Sequence, residues 1–242
     1  MIENISDDKW HECWKQGQID SRKEELVNFY ERYFTNEEDA EKFVIEIYNQ
    51  TSVDNKICLR MMNNTMRLAK LAEDMEIIRP GKNALKITYL ITCIETLYKI
   101  SGKTTDKNGE KFNKVSIVID FFEIYVSDED KKYILSKVKR SIADSYFSQG
   151  ESFDELITIE IFARIINEVR NVFMHTGEYW NLSLSNLGCP ELKIMNVEEE
   201  RGKGKSERIY EFELVYNELH QIFIRAFVNY INLYIDNNIK SQ

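Results

Sequence analysis

Chain breakers are scarce in this sequence: nine glycines and two prolines, Pro80 and Pro190, in 242 residues. Long stretches without a breaker suit long helices, and the abundant Leu, Ile, Glu and Lys agree. The four cysteines, Cys13, Cys58, Cys93 and Cys189, are widely scattered and form no C-x-x-C pair. That excludes a disulfide framework, a Cys-rich zinc site and a thioredoxin-like motif. No apolar run approaches the length of a bilayer span, and the first residues are acidic instead of a basic stretch leading into an apolar one. A cytoplasmic location without membrane contact is therefore expected. Net positive charge is lacking too: the formal charge is −9, so the overall field does not attract phosphate backbones, and any nucleic-acid contact must rest on a local basic patch. There is no P-loop, no G-x-G-x-x-G and no G-x-S-x-G, which removes nucleotide-hydrolysing and serine-hydrolase readings. No internal repeat of fixed period is present.

What is present is helical periodicity over a well-supplied apolar core; with 43% hydrophobic and 12% aromatic residues, a disordered chain is excluded. Ala40, Phe43, Val44, Ile47 and Tyr48 fall on one face of a predicted helix over 37–50. Leu26, Tyr30 and Tyr33 suggest a helix before it, and Met61, Met62, Met66, Ala69 and Ala72 one after it. Arg79-Pro80-Gly81 is the best candidate boundary, dividing a helical region 1–80 from a domain 81–242. Residues 84–100 are apolar nearly all round, as in a helix central to a bundle. A polar loop, 101–111, leads to a helix over 112–126. Ser127 reads as an N-cap opening a helix to about Phe147. Ser152-x-x-Glu155 has capping-box spacing for the next helix, and Gly177 is placed to stop that helix just after His175. The stretch from about 190 to 215 alternates like a β-hairpin, with Arg201, Lys203 and Lys205 at its tip. A last helix covers about 214–236.

The order of these elements, with Glu95-x-Leu97-Tyr98 on an early apolar helix and Arg170-Asn171-x-x-x-His175 at the end of a later one, resembles the HEPN domain superfamily over about 84–236. The resemblance implies an all-α, HEPN-like helical bundle, here with an N-terminal helical extension and a small β-hairpin insertion. It also implies a metal-independent endoribonuclease, acting as a toxin or phage-defence effector, that cleaves RNA through the substrate's own 2′-hydroxyl and needs no cofactor. Arg170 and His175 match the family's catalytic positions and Asn171 its frequent polar neighbour. Imidazole suits proton transfer near neutral pH, and guanidinium suits the developing charge on phosphate oxygens. One motif supplies one imidazole, so a second copy of the chain is expected to complete the site. The expected partners are thus RNA, a second copy and a protein regulator. Toxins of the family governed by a nucleotidyltransferase antitoxin carry Tyr two residues after the His; Gly177 stands there instead, which argues against that control.

Helix geometry adds a condition. Residues five apart on a helix point about 140° apart, so Arg170 and His175 converge only if the chain leaves the helix near Met174 or His175. Glu95, a lone carboxylate in an apolar helix, needs a partner and could orient Arg170. The competing reading is a catalytically inactive helical interaction module, with His175 in a last helical turn and Arg170 paired to Glu95 or Glu168. Lys131, Lys132, Lys137, Lys139 and Arg140, expected on one helix, and Lys203 and Lys205 at the hairpin tip are the candidate RNA contacts. His11 and Cys13 lack further metal ligands nearby, and no metal site is expected. His220 reads as a half-buried residue of the last helix.

Overall fold

The computed structural model describes residues 7–49, 53–106, 108–140, 157–177, 182, 184, 191–197 and 206–238. It is mostly helical, with a small sheet. The elements are α1 (Asp7–Tyr30), a 3-10 turn (Glu31–Tyr33), α2 (Glu37–Asn49), α3 (Val53–Ile78), α4 (Asn83–Ser101), α5 (Lys114–Ile124), α6 (Asp128–Ser136), β1 (Val138–Arg140), α7 (Ile159–Thr176), β2 (Glu191–Val197), β3 (Ser206–Phe212) and α8 (Tyr216–Asn238). The expected all-α fold with a β-hairpin is the fold observed.

Local chemistry explains most of the boundaries. Asn113 and Ser116 form a reciprocal capping box at α5. Ser127 Oγ accepts from Asp130 N at 3.1 Å, with Asp128, Glu129 and Asp130 facing the positive end of α6. The predicted run of this helix to Phe147 is not what forms. α6 stops at Ser136, and Val138–Arg140 instead adds a strand to the hairpin, giving the antiparallel order β1-β3-β2. The reason is pairing. Glu213 N donates to Lys137 O at 2.8 Å, and Val138 is buried opposite Phe212. A short strand with a buried Val and a ready edge gains more than another helical turn would. The Ser152 capping box lies outside the described residues; α7 begins later, with Thr158 Oγ1 accepting from Ile161 N at 3.2 Å. The hairpin has its centre at Ile194 opposite Ile209, and its tip, with Arg201, Lys203 and Lys205, is likewise outside the described residues.

α4 is the central helix, as its all-round apolar sequence requires: α3, α5, α7 and α8 all pack on it. Leu90, Ile91, Cys93, Ile94 and Leu97 are inaccessible to solvent. Full burial of each aliphatic side chain contributes about 1.5–3 kcal/mol before the entropy cost. Burial pushes the Cys93 thiol up to about 12, so it stays protonated. Pro80 and Gly81 turn the chain between α3 and α4, and the apolar core is continuous across that turn, from Leu26, Phe29 and Met62 to Phe122, Phe162 and Phe227. Among the described residues, no helix is long and apolar enough to cross a membrane.

Candidate active site

Apolar residues on α7 bury Phe162, Ile165, Ile166 and Val169, and this same face carries Asn167 and Arg170 inward. Arg170 is 5% exposed. A guanidinium cannot be buried without a counter-charge, and α4 supplies it. Glu95 Oε2 accepts a hydrogen bond from Arg170 Nη2 at 2.9 Å. Glu95 Oε1 lies 2.8 Å from the same nitrogen as a charge contact without hydrogen-bond geometry. Nη1 donates to Asn171 Oδ1 at 3.2 Å, and Asn171 Nδ2 reaches Glu168 Oε2 at 3.5 Å. Of the two carboxylates considered for Arg170, Glu95 pairs with it directly, and Glu168 reaches it only through Asn171. Arg170 Nε and Asn167 Oδ1 are buried without a hydrogen-bond partner.

Gly177 ends α7 as expected. Its φ of 72° is the left-handed conformation that costs glycine little, and its N–H donates to Phe173 O at 2.9 Å. The helix nevertheless runs through His175 to Thr176. The chain therefore does not leave the helix at Met174 or His175, and within one chain the Arg170 and His175 side chains leave the axis about 140° apart. Arg170 points into the bundle. His175 is exposed in the last turn beside Met174, 56% exposed, and among the described residues it has no hydrogen bond or ion pair. Asn167 is the member of this group that the sequence reading passed over. The signal was an amide standing in a run of apolar-face positions, one turn before the arginine.

The expected basic helix face does not form. Lys137 caps α6, while Lys139 and Arg140 belong to β1. Lys139 Nζ lies 3.2 Å from Glu211 and 3.3 Å from Glu213 carboxylate oxygens. The neighbouring Glu211 and Glu213 carboxylates raise its pKa and leave little net positive field there. Lys131 pairs with Asp128 at 3.2 Å. Lys203 and Lys205 lie outside the described residues, and so do the side chains of His11 and Cys13. His220 is fully buried instead of half-buried, at 4% exposure. No group of three or more His, Cys, Asp or Glu side chains fit to hold a metal occurs among the described residues.

No protein-family model matches the chain, and no curated protein or solved structure matches it significantly.

Proposed function

We propose that the chain is a metal-independent endoribonuclease of the HEPN type, active as a homodimer whose two α7 ends form one composite site. The observation that carries this reading is the placement of His175. It is exposed in the last turn of α7, without a partner among the described residues, and about a turn and a half beyond an arginine fixed by Glu95 and Asn171. An imidazole so placed can exchange protons with a substrate. The divergence of the two side chains on one continuous helix is the reason for the dimer: a second copy can bring its own imidazole to the same phosphate. In the reaction the 2′-oxygen bonds to phosphorus as the P–O5′ bond breaks. One imidazole takes the 2′-hydroxyl proton and the other protonates the departing 5′-oxygen, leaving a 2′,3′-cyclic phosphate and a 5′-hydroxyl. Glu95 orients Arg170, Asn171 steadies it, and Lys137 with the tip residues Lys203 and Lys205 contacts the RNA backbone. A cytoplasmic toxin or phage-defence effector is the setting that goes with this chemistry, and the buried thiols Cys58 and Cys93 suit a reducing compartment.

The second reading, a non-catalytic helical interaction module, is favoured by the burial of Arg170 and its engagement within its own chain. Cleavage of mixed single-stranded RNA in EDTA, by wild type and His175→Ala, separates the two. The nuclease reading expects wild-type products ending in 2′,3′-cyclic phosphate and a loss of about 100-fold or more in the variant. Absent cleavage, or cleavage indifferent to the substitution, gives the protein to the interaction module.

A further inference from the structure

The basic face expected around residues 131–140 does not form, but the outer side of α3 carries one. Between Asp54 and Glu73 this helix holds Lys56, Arg60, Arg67 and Lys70 and no carboxylate, in a chain with 41 acidic and 32 basic residues. At 3.6 residues per turn, Lys56, Arg60 and Arg67 fall within about 40° of one another, and their line runs about 16 Å along the axis. The opposite side of the helix, with Cys58, Met61, Thr65, Ala69 and Ala72, is buried. The three cations therefore point away from the core, and all three are exposed. The exposed Asp74 closes the line two turns past Arg67.

The way these cations are held sets them apart from an ordinary solvated face, on which charges of both signs alternate and pair. The Lys56 and Arg60 side chains have no hydrogen bond or ion pair among the described residues. Arg67 Nη2 donates to a neutral amide, Asn64 Oδ1, at 2.5 Å. Asn64 is itself fixed, its Nδ2 donating to Arg60 O at 2.8 Å. Asn63 is fixed in the same way by Leu59 O, and its Oδ1 accepts from Arg22 Nε of α1 at 2.8 Å. An amide orients a guanidinium without cancelling its charge, as a carboxylate would. Glu25 of α1 pairs with Lys70 at 3.0 Å and with Arg22 at 3.3 Å, and so compensates those two. Lys56, Arg60 and Arg67 keep their charge.

We propose that the outer face of α3 binds the phosphate backbone of single-stranded RNA, with Lys56, Arg60 and Arg67 as its contacts. A line of uncompensated like charges fits a polyanion, which releases counterions as it binds. Guanidinium forks match phosphate oxygens. A lipid surface is the poorer fit: a helix that lies on a membrane sets exposed apolar side chains beside its cations, and α3 has no exposed large apolar residue between Lys56 and Lys70. Contacts to the backbone position a strand without reading it, so no base preference is expected. The choice of RNA among polyanions rests on the nuclease reading, whereas the charge geometry stands without it.

Fluorescence anisotropy of the full chain with a labelled 2′-O-methyl oligoribonucleotide tests this, because a strand without free 2′-hydroxyls can be bound but not cut. The logarithm of the affinity should fall with the logarithm of salt concentration with a slope of about −2, for three phosphates at about −0.7 each. Arg60→Gln combined with Arg67→Gln should weaken binding about tenfold at low salt and bring the slope to about −0.7. Both positions are exposed and Gln suits a helix, so circular dichroism melting should be unchanged. Lys42→Gln combined with Arg164→Gln alters the net charge equally but removes cations already paired with Glu38 and Glu160, and should leave binding as it was. Equal weakening by the two double variants would assign binding to the overall charge and overturn the proposal. No binding at millimolar concentration, or a slope unmoved by the Arg60 and Arg67 changes, overturns it too. Equal affinity for anionic-lipid vesicles or for polyglutamate would make the partner a membrane or an acidic protein instead of RNA. Binding that depends on α3, without cleavage of ordinary RNA, upholds this surface and removes the nuclease; cleavage with binding indifferent to α3 does the reverse.

Discussion

The two ionic clusters of this molecule are built in opposite senses. At the end of α7 the guanidinium is inside and the imidazole outside: Arg170 is buried against Glu95 while His175 is exposed. At the start of α8 the imidazole is inside and the guanidinium outside: His220 is buried, and the Arg32 side chain is 48% exposed. The inversion separates two kinds of behaviour. A buried guanidinium keeps its charge and so always needs a counter-ion, whereas a buried imidazole is neutral at some pH values and charged at others. Only an imidazole at the surface can accept and release protons without drawing on the stability of the fold.

The largest effect is expected from breaking the α7 cluster. Glu95→Ala leaves Arg170 buried without its counter-charge and should cost about 3 kcal/mol of stability in urea unfolding. Glu95→Leu combined with Arg170→Met should recover most of that loss, because an apolar pair of similar volume removes both desolvation costs. A double variant as unstable as the single one would mean that Arg170 is held by its packing and not by charge.

The opposite construction at His220 should appear in the pH dependence of stability. Burial lowers the pKa of His220 from its ordinary 6.5, while Glu73 opposes that shift and Arg32 and Lys86 add to it. The unfolded chain therefore takes up this proton first as pH falls. Stability is retained above about pH 6.5 and declines below it, until the folded pKa is passed. His220→Phe keeps a ring against Tyr33 and Tyr216, which lie 6.0 and 5.6 Å away centre to centre, and removes the titration. Urea midpoints of the variant between pH 5 and 7 should be flatter than those of the wild type. Glu25 and Glu76, held below their ordinary 4.5 by Lys70 and Lys86, act in a lower window, where stability falls as they become protonated. The two contributions can thus be told apart. Parallel wild-type and variant profiles would place the acid sensitivity elsewhere.

The difference between the clusters also explains what was legible in the sequence. The Arg170–Glu95 pair was readable in part: Glu95 is the lone carboxylate of an apolar helix and needs a partner, while for Arg170 the sequence left Glu95 and Glu168 as alternatives. Gly177 and Ser127 were readable because caps are local chemistry. The His220 cluster was not. Its parts, Tyr33, Glu73, Lys86, Tyr216 and His220, come from four elements, and each alone reads as an ordinary packing residue or a solvated charge until the tertiary packing brings them together. β1 was hidden in the same way. Lys137-Val138-Lys139-Arg140 follows a good helix, and only Glu211, Phe212 and Glu213, more than 70 residues later, make it a strand.

The smallest stability effect is expected at the residue on which the proposed chemistry depends most. His175 is exposed and makes no hydrogen bond or ion pair among the described residues, so His175→Ala should change unfolding stability by no more than about 0.5 kcal/mol at pH 8. A near-silent substitution in unfolding that abolishes RNA cleavage would make His175 a residue kept for reaction and Arg170 one kept also for the fold. A destabilisation comparable to Glu95→Ala would instead mean that both members of the motif serve the architecture, and the contrast between the two imidazoles would then lose its functional meaning.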